Sequence, residues 1–173
     1  MMFLAMWIQA DSTDLKTNGA AMKIYLDVSC LNRPFDDQNQ TRIRLEGAAI
    51  GAIFEQFDDG RWSQVSSEMA RIEIAANPNR RRRVRVQLLL PDPDKIVILT
   101  PAMFDRGAEL EKFGIKPADA MHVAAAESAG ADVLLTCDDR LCKAGQRHRA
   151  QLRVPVRNPL DWLKEIENAN DSR

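Results

Sequence analysis

Cysteine and histidine are scarce in this chain of 173 residues, which has three cysteines and two histidines. The cysteines, Cys30, Cys137 and Cys142, form no C-x-x-C pair. This argues against a disulfide framework and against a cysteine zinc site. With only two histidines as well, we do not expect a structural zinc site. Such sparse cysteine usage suits a reducing compartment, so we expect a cytoplasmic protein.

An excess of charge, a long apolar run and a phosphate-binding glycine loop are also missing. Lys and Arg number 24 against 25 Asp and Glu, a net charge of −1, so contact with nucleic acid would need a local basic patch. The apolar residues 2–8 are too short to span a bilayer and lack the positive charge of a signal peptide, so we expect no membrane association. Neither Gly-x-Gly-x-x-Gly nor a P-loop occurs, which excludes the common nucleotide-binding folds.

The length suits one domain with a sizeable core, and no repeat or linker divides the chain. Residues 1–21 show no regular pattern, and Met22 directly precedes the first strand-like segment. We interpret 1–21 as a dispensable N-terminal extension, either disordered or not native. Residues 22–168 are the predicted domain, and residues 169–173 are a frayed tail.

Strand-like and helix-like segments alternate along the predicted domain. The strands are predicted over 23–27, 61–65, 95–99, 131–136 and 152–156, and the helices over 41–57, 66–76, 80–90, 101–113, 117–129, 138–145 and 159–168. Residues 30–37 are predicted to be a loop. This alternation is typical of βαβ units and a parallel sheet, hence of the α/β class. Pro155 places the fifth strand at a sheet edge.

Four acids lie at the ends of predicted strands or in predicted helices: Asp27, Glu73, Asp119 and Asp138. Each has an ordinary interpretation, because Asp27 suits a turn, Asp119 suits a first helical turn and Asp138 suits an N-cap. In open α/β sheets, however, ligands bind outside the carboxyl ends of the strands. Carboxylates gathered there would repel one another without a cation, and oxygen ligands favour Mg²⁺ or Mn²⁺.

Glu73 is preferred over Glu68 as the second acid. Met69, Ile72 and Ala76 form an apolar stripe, and Glu73 is predicted at its edge, where an unpaired carboxylate would be costly. Glu68 lies roughly 140° away around the helix, so the two acids should not serve one site together. Glu68 remains the alternative.

The only strong charge cluster is the basic run Arg80, Arg81, Arg82 and Arg83. Two interpretations stay open. The run is either a solvated helix face or a surface that contacts phosphate or an acidic partner. His122 is interpreted as a core or supporting histidine rather than a metal ligand.

In order along the chain, four short motifs resemble the PIN-domain nucleases: Ile24-Tyr25-Leu26-Asp27, Ser67-x5-Glu73, Pro117-Ala118-Asp119-Ala120-x-His122 and Leu135-Thr136-Cys137-Asp138. The small size and the segment Lys116-Pro117-Ala118-Asp119-Ala120-Met121-His122 are similar to the VapC-type toxins of toxin–antitoxin pairs. The resemblance implies a three-layer α/β/α fold with a mostly parallel five-stranded sheet. It also implies Mg²⁺- or Mn²⁺-dependent endoribonuclease activity, frequent homodimerisation and an antitoxin protein that blocks the site.

By position, the resemblance assigns metal-binding and catalytic roles to four acids: Asp27, Glu73, Asp119 and Asp138. It makes Ser29 and Thr136 supporting hydroxyls. Asp138 and Asp139 are adjacent acids, and Asp138 is preferred because Thr136-Cys137-Asp138 matches the Thr-x-Asp motif. Asp139 stays as the alternative ligand or as a supporting residue.

Three other functions compete with a toxin ribonuclease. A non-catalytic PIN-like scaffold that binds RNA or protein is the main alternative, and a DNA or flap nuclease is another. A phosphotransferase with a nucleophilic aspartate after the first strand would need Asp-x-Asp, whereas the chain has Asp27-Val28-Ser29. That last interpretation is therefore excluded.

Overall fold

The computed structural model describes residues 21–171, so residues 1–20 of the predicted extension and residues 172–173 of the predicted tail lie outside it. Within this range the strands are β1 Met22–Leu26, β2 Trp62–Ser67, β3 Ile96–Val97, β4 Val133–Leu135 and β5 Val156–Arg157. The helices are α1 Val28–Asn32, α2 Thr41–Asp58, α3 Glu68–Ala76, α4 Arg80–Gln87, α5 Pro101–Glu111, α6 Pro117–Ser128, α7 Asp139–Arg147 and α8 Pro159–Asp171.

The five strands form one sheet in the order β3-β2-β1-β4-β5, and every neighbouring pair is parallel. β1 is therefore central, with Tyr25 opposite Val65 on one side and Leu134 on the other. The carboxyl ends of β1, β2 and β4 meet at the same edge of the sheet. This is the edge where ligand sites of open α/β sheets lie.

Helices cover both faces of the sheet, as continuous apolar strands require. Ile24 and Leu26 pack into the core under α1–α4 and α8, and Tyr25 packs into the core under α5–α7. The alternation of side chains along β1 thus feeds two hydrophobic cores. The predicted three-layer α/β/α fold is confirmed.

Capping and turn residues determine the ends of α3 and α6, the helices that carry Glu73 and Asp119. Ser67 caps α3, because its Oγ accepts a hydrogen bond from the backbone N–H of Ala70 at 3.4 Å. Pro117 is the first residue of α6, and Gly130, just beyond its end, has a φ of 64°. Only glycine adopts that angle at little cost.

Several boundaries differ from the prediction. Residues 30–37 are not a loop, because α1 and a 3₁₀ turn at Arg33–Phe35 occupy much of this segment. α1 is short and buries Val28, Cys30 and Leu31, so packing against the core stabilises it rather than sequence propensity. Likewise, α4 ends at Gln87 instead of residue 90.

The edge strands are shorter than predicted. β3 and β5 have two residues each. Before β5, the backbone N–H of Arg153 donates to a Glu127 carboxylate oxygen at 2.9 Å instead of joining the sheet. The final helix runs beyond the predicted end at residue 168.

The predicted apolar stripe of α3 was wrong. Ala70 and Ile74 face the core, whereas Ile72 is 56% exposed and Ala76 is exposed. The two buried residues are four apart, so they still form one helical face. Among residues 21–171, no helix has the length and apolar character needed to cross a membrane.

Candidate metal centre

Asp27 follows β1 directly and is buried, with 5% of its surface exposed. Its backbone N–H donates to the Leu135 carbonyl at 3.0 Å, which ties it to β4. Its Oδ2 accepts hydrogen bonds from the hydroxyls of Ser29 at 2.8 Å and Thr136 at 2.7 Å. The two predicted supporting hydroxyls therefore fix this carboxylate through one of its oxygens. The other oxygen, Oδ1, lies 3.8 Å from Nε2 of His122.

Glu73 is held by a chain of hydrogen bonds that begins at α3 and passes through α6 and β1. Its Oε2 lies 2.7 Å from Nε2 of His122, and Nδ1 of His122 lies 2.8 Å from the Tyr25 hydroxyl. The Tyr25 hydroxyl in turn lies 2.6 Å from Oγ of Ser67, the N-cap of α3. Glu73 itself is 43% exposed at the end of this buried chain, so it faces the open side of the site.

The hydrogen bond to Glu73 defines the role of His122. A carboxylate only accepts hydrogen bonds, so Nε2 of His122 carries a proton in this arrangement. Burial lowers the pKa of His122, but its bond to Glu73 and the charges of Asp27, Glu73 and Asp119 outweigh burial and raise that pKa. A proton on Nε2 prevents this nitrogen from binding a metal. As placed, His122 positions Glu73, in agreement with the supporting role predicted for it.

Asp119 is half-buried in the first turn of α6. Burial and the nearby charges of Asp27 and Asp138 raise its pKa to about 6. Asp138 follows β4, where its Oδ1 accepts from the Arg140 N–H at 2.7 Å and caps α7. The repulsion felt by Asp119 indicates that three of the four predicted acids share one anionic region.

The two alternative acids have protein partners elsewhere. Glu68 Oε2 accepts a hydrogen bond from the Leu99 backbone N–H at 2.8 Å. Asp139 forms a two-pronged ion pair with Arg42, one arm of which measures 2.8 Å. These contacts favour Glu73 and Asp138 for the site. The assignment of all four acids as ligands stays a prediction.

The donor chemistry fits a hard divalent cation. Asp27 and Glu73 each offer one carboxylate oxygen, and these two atoms lie within 4.8 Å of each other. Burial raises the pKa of Cys142 to about 12 and also raises that of Cys30, so both remain protonated thiols and poor ligands. Carboxylate oxygens without thiolates suit Mg²⁺ or Mn²⁺.

The basic run divides into two pairs. Arg82 donates to Asp36 and to the Phe35 carbonyl, both at 2.6 Å, and Arg83 donates to the Asn77 carbonyl at 2.6 Å. Arg80 and Arg81 are exposed on α4. Arg82 and Arg83 therefore hold the chain near α4, and Arg80 and Arg81 are the members of the run that face solvent.

Sequence reasoning missed Tyr25 and Ser67 as parts of the site. A tyrosine inside an apolar strand is normally interpreted as a core residue, and a serine at a helix start is normally interpreted as an N-cap. Both descriptions hold here, because Tyr25 is fully buried and Ser67 caps α3. The link between them depends on how α3, α6 and β1 meet, which no local pattern contains.

This arrangement, a carboxylate cluster at the carboxyl edge of a parallel sheet between helical layers, defines a nuclease-type fold able to hold a metal. The chain belongs to the PIN domain family, which it matches over residues 24–146. Among solved structures it is similar to the crystal structure of PAE2754 from Pyrobaculum aerophilum, with 17% identity and a TM-score of 0.47, over 88% of this chain and 94% of that chain. No curated protein gives a significant match.

Proposed function

We propose that this protein is a divalent-metal-dependent endoribonuclease, the VapC-like toxin of a cytoplasmic toxin–antitoxin pair. One observation carries the nuclease assignment. Asp27 is buried and fixed by two hydroxyls, beside a positioned Glu73 and an Asp119 whose pKa is raised by burial and by its acidic neighbours. Repelling carboxylates held this firmly are best explained by a cation that offsets their charge.

Asp27, Glu73, Asp119 and Asp138 are the residues that would hold Mg²⁺ or Mn²⁺. When bound, such a cation supplies positive charge for the phosphodiester oxygens and lowers the pKa of a bound water. Ser29 and Thr136 keep Asp27 in one orientation, and His122 does the same for Glu73. The exposed Arg80 and Arg81 offer contacts to RNA phosphates.

A VapC-like toxin implies two binding partners, an antitoxin protein and a second copy of the chain. An antitoxin protein would block the acidic site, and two copies of the chain would form a homodimer. Expression of the chain alone should arrest growth, and coexpression with a cognate antitoxin should restore it. Growth arrest that persists with Asp27→Asn would contradict a nuclease toxin.

The direct test is cleavage of a mixed single-stranded RNA pool by purified protein. We expect cutting with Mg²⁺ or Mn²⁺, none with chelator, and a loss of at least about a hundredfold in Asp27→Asn, since a first-sphere ligand is removed. Asp37→Asn, which changes an exposed acid bonded to Asn39, is the matched control. Circular dichroism and the melting temperature check that both variants fold.

The same assay separates the alternatives. RNA binding that survives both chelation and Asp27→Asn, without cutting, would favour a non-catalytic scaffold. Faster cutting of DNA or of flap substrates than of RNA would favour a DNA nuclease.

A further inference from the structure

One buried hydroxyl, that of Tyr25, links the three elements that meet behind Glu73. Tyr25 lies on the central strand β1, is the single tyrosine of the chain and is fully buried. Its Oη lies 2.6 Å from Oγ of Ser67, the last residue of β2, and 2.8 Å from Nδ1 of His122 on α6. Phenylalanine would fill nearly the same volume, so packing alone does not explain the hydroxyl.

The hydrogen bonds of this hydroxyl belong to a loop of contacts that begins and ends on α3. Ser67 is the N-cap of α3, and Glu73 lies further along the same helix. From Ser67 the contacts pass through Tyr25 and His122. They return to α3 at Oε2 of Glu73, which lies 2.7 Å from Nε2 of His122. Helix α3 is therefore attached to β1 and α6 both at its cap and at Glu73.

The Tyr25 hydroxyl suits the His122 ring because a hydroxyl both donates and accepts hydrogen bonds. Nε2 of His122 carries the proton donated to Glu73, so Nδ1 of the neutral ring accepts from the Tyr25 hydroxyl. The two rings also meet edge-on, with their centroids 5.9 Å apart and their planes at 64°. His122 has 1% of its surface exposed, so bulk water does not replace a partner lost at Nδ1. Tyr25 thus determines how His122 presents Nε2 to Glu73.

We infer that Tyr25 is a positioning residue of the candidate metal centre, an inference that rests on the proposed metal-dependent function. The Tyr25 hydroxyl holds the His122 ring, and the ring holds the Glu73 carboxylate beside Asp27. Glu73 is 43% exposed, so without this contact its side chain is free to turn into solvent. Hydrogen-bond partners behind metal ligands typically contribute about 10–100-fold to metal affinity or activity. The buried tyrosine therefore strengthens cation binding without touching the cation.

Tyr25→Phe removes the hydroxyl and keeps the ring. Calorimetric titration of the full chain with Mn²⁺ should show an affinity about tenfold weaker than that of the unchanged chain. Ser66→Ala is the matched control, because the Ser66 hydroxyl is also buried, next to Ser67, but has no hydrogen-bond partner among the residues that the structure describes. This control should bind Mn²⁺ as the unchanged chain does. Circular dichroism and the melting temperature check that both variants fold.

A double-mutant cycle asks whether Tyr25 acts through His122. His122→Phe removes both hydrogen bonds of the imidazole and should itself weaken Mn²⁺ binding. Adding Tyr25→Phe should then cost no further affinity, because residues of one hydrogen-bond network are not additive. Additive losses would overturn the inference. If Tyr25→Phe does not fold, Ser67→Ala tests the same contacts from α3 and should weaken Mn²⁺ binding about threefold, since the bond between Tyr25 and His122 remains.

The dependence of RNA cleavage on Mg²⁺ supplies a readout that a purely structural role would not move. Tyr25→Phe should need about tenfold more Mg²⁺ for its half-maximal rate. It should approach the rate of the unchanged chain at saturating Mg²⁺, because the hydroxyl touches neither the cation nor the RNA. Unchanged Mn²⁺ affinity in Tyr25→Phe would overturn the inference and leave the ribonuclease intact. Weakened Mn²⁺ binding in this variant, with an unchanged chain that cuts no RNA, would overturn the proposed function and leave the inference.

Discussion

Asp138 and Asp139 are neighbours in sequence with different surroundings. Asp138 raises the pKa of Asp119, whereas Asp139 is paired with Arg42 on the surface. We therefore expect Asp138→Asn to weaken Mn²⁺ binding about tenfold or more and Asp139→Asn to change it little, because only the first removes charge from the acidic region. Calorimetric titration with Mn²⁺ measures both. The reverse order of effects would move the ligand role to Asp139.

Asp119 makes the metal-free protein sensitive to pH. Its pKa is raised from 3.8 to about 6, so the folded state binds its proton more tightly than the unfolded state does. Asp119 therefore does not destabilise the folded state below about pH 4, where it is protonated in both states. It lowers the stability as the pH rises through 6. In chelator at pH 7, Asp119→Asn should be more stable by about 1 kcal/mol, a figure reduced for solvent screening because the side chain is half-buried.

Urea unfolding of both proteins at pH 4, 5, 6 and 7 measures this difference. The gap between Asp119→Asn and the unchanged chain should open between pH 4 and 6, which separates Asp119 from the other carboxylates that titrate in both proteins. A gap that is constant with pH would show that the raised pKa is not the cause.

The acids of the candidate site could be predicted from the sequence, but not all of the contacts that hold them. Asp27 and Asp138 could be predicted at one site because both follow strands of a parallel sheet, which fixes where strand ends lie. The bond between Glu73 and His122 joins α3 to α6, and its 2.7 Å length depends on tertiary packing. The apolar stripe used to place Glu73 was wrong, yet the helical positions of Glu73 and Glu68 still separated these two acids.

At the scale of elements, α7 packs closely on β5. A Cβ added to Gly145 would lie 2.6 Å from Cβ of Val156, whereas one added to Gly107 of α5 would meet the flexible Sδ of Met121 at 2.8 Å. Gly145→Ala should therefore destabilise the protein by about 1–3 kcal/mol. Gly107→Ala should be near neutral, since the Met121 side chain adjusts and alanine favours the helix. Urea unfolding compares the two variants, and equal destabilisation would contradict this account.

α2 carries a buried carboxylate, Glu46, with 1% of its surface exposed. It is in ion-pair contact with Arg33 and Arg42, each at 2.9 Å, and it accepts from Asn158 at 2.7 Å. Glu46→Ala would remove the acceptor of Asn158, while Arg33 keeps Asp36 and Arg42 keeps Asp139, so we expect a loss of about 1–3 kcal/mol in urea unfolding. The control Glu109→Ala removes an exposed partner of Arg106 and should change stability by less than about 0.5 kcal/mol.

The predictable elements are those with long, regular patterns. The central strands β1 and β4 are short apolar runs buried on both faces, and α2 and α6 begin within a residue of their predicted starts. α1 was missed because five residues carry too little periodicity, and Pro34 beside it signals a turn. β3 and β5 were predicted too long, because an edge strand ends where its neighbour stops pairing, which depends on the other strand.

At the scale of the whole molecule, one edge of the sheet concentrates negative charge on a chain that is nearly neutral overall. The net charge is −1, yet Asp27, Glu73, Asp119 and Asp138 come from four separate segments to this edge. A cation that binds the folded chain and not the unfolded one stabilises the fold by mass action. The four segments are then linked through one ion, so the effect should be visible in global unfolding.

We therefore expect Mn²⁺ or Mg²⁺ at about a hundred times the dissociation constant to add roughly 2.7 kcal/mol of stability. For a chain of this size that corresponds to a rise of roughly 5–10 °C in the melting temperature. NaCl at matched ionic strength controls for screening, and chelator should reverse the rise. Asp27→Asn should lose most of it and Asp139→Asn should keep it, because only Asp27 lies within the carboxylate cluster. An equal rise in both variants would place the stabilising ion elsewhere on the molecule and would contradict the candidate metal centre.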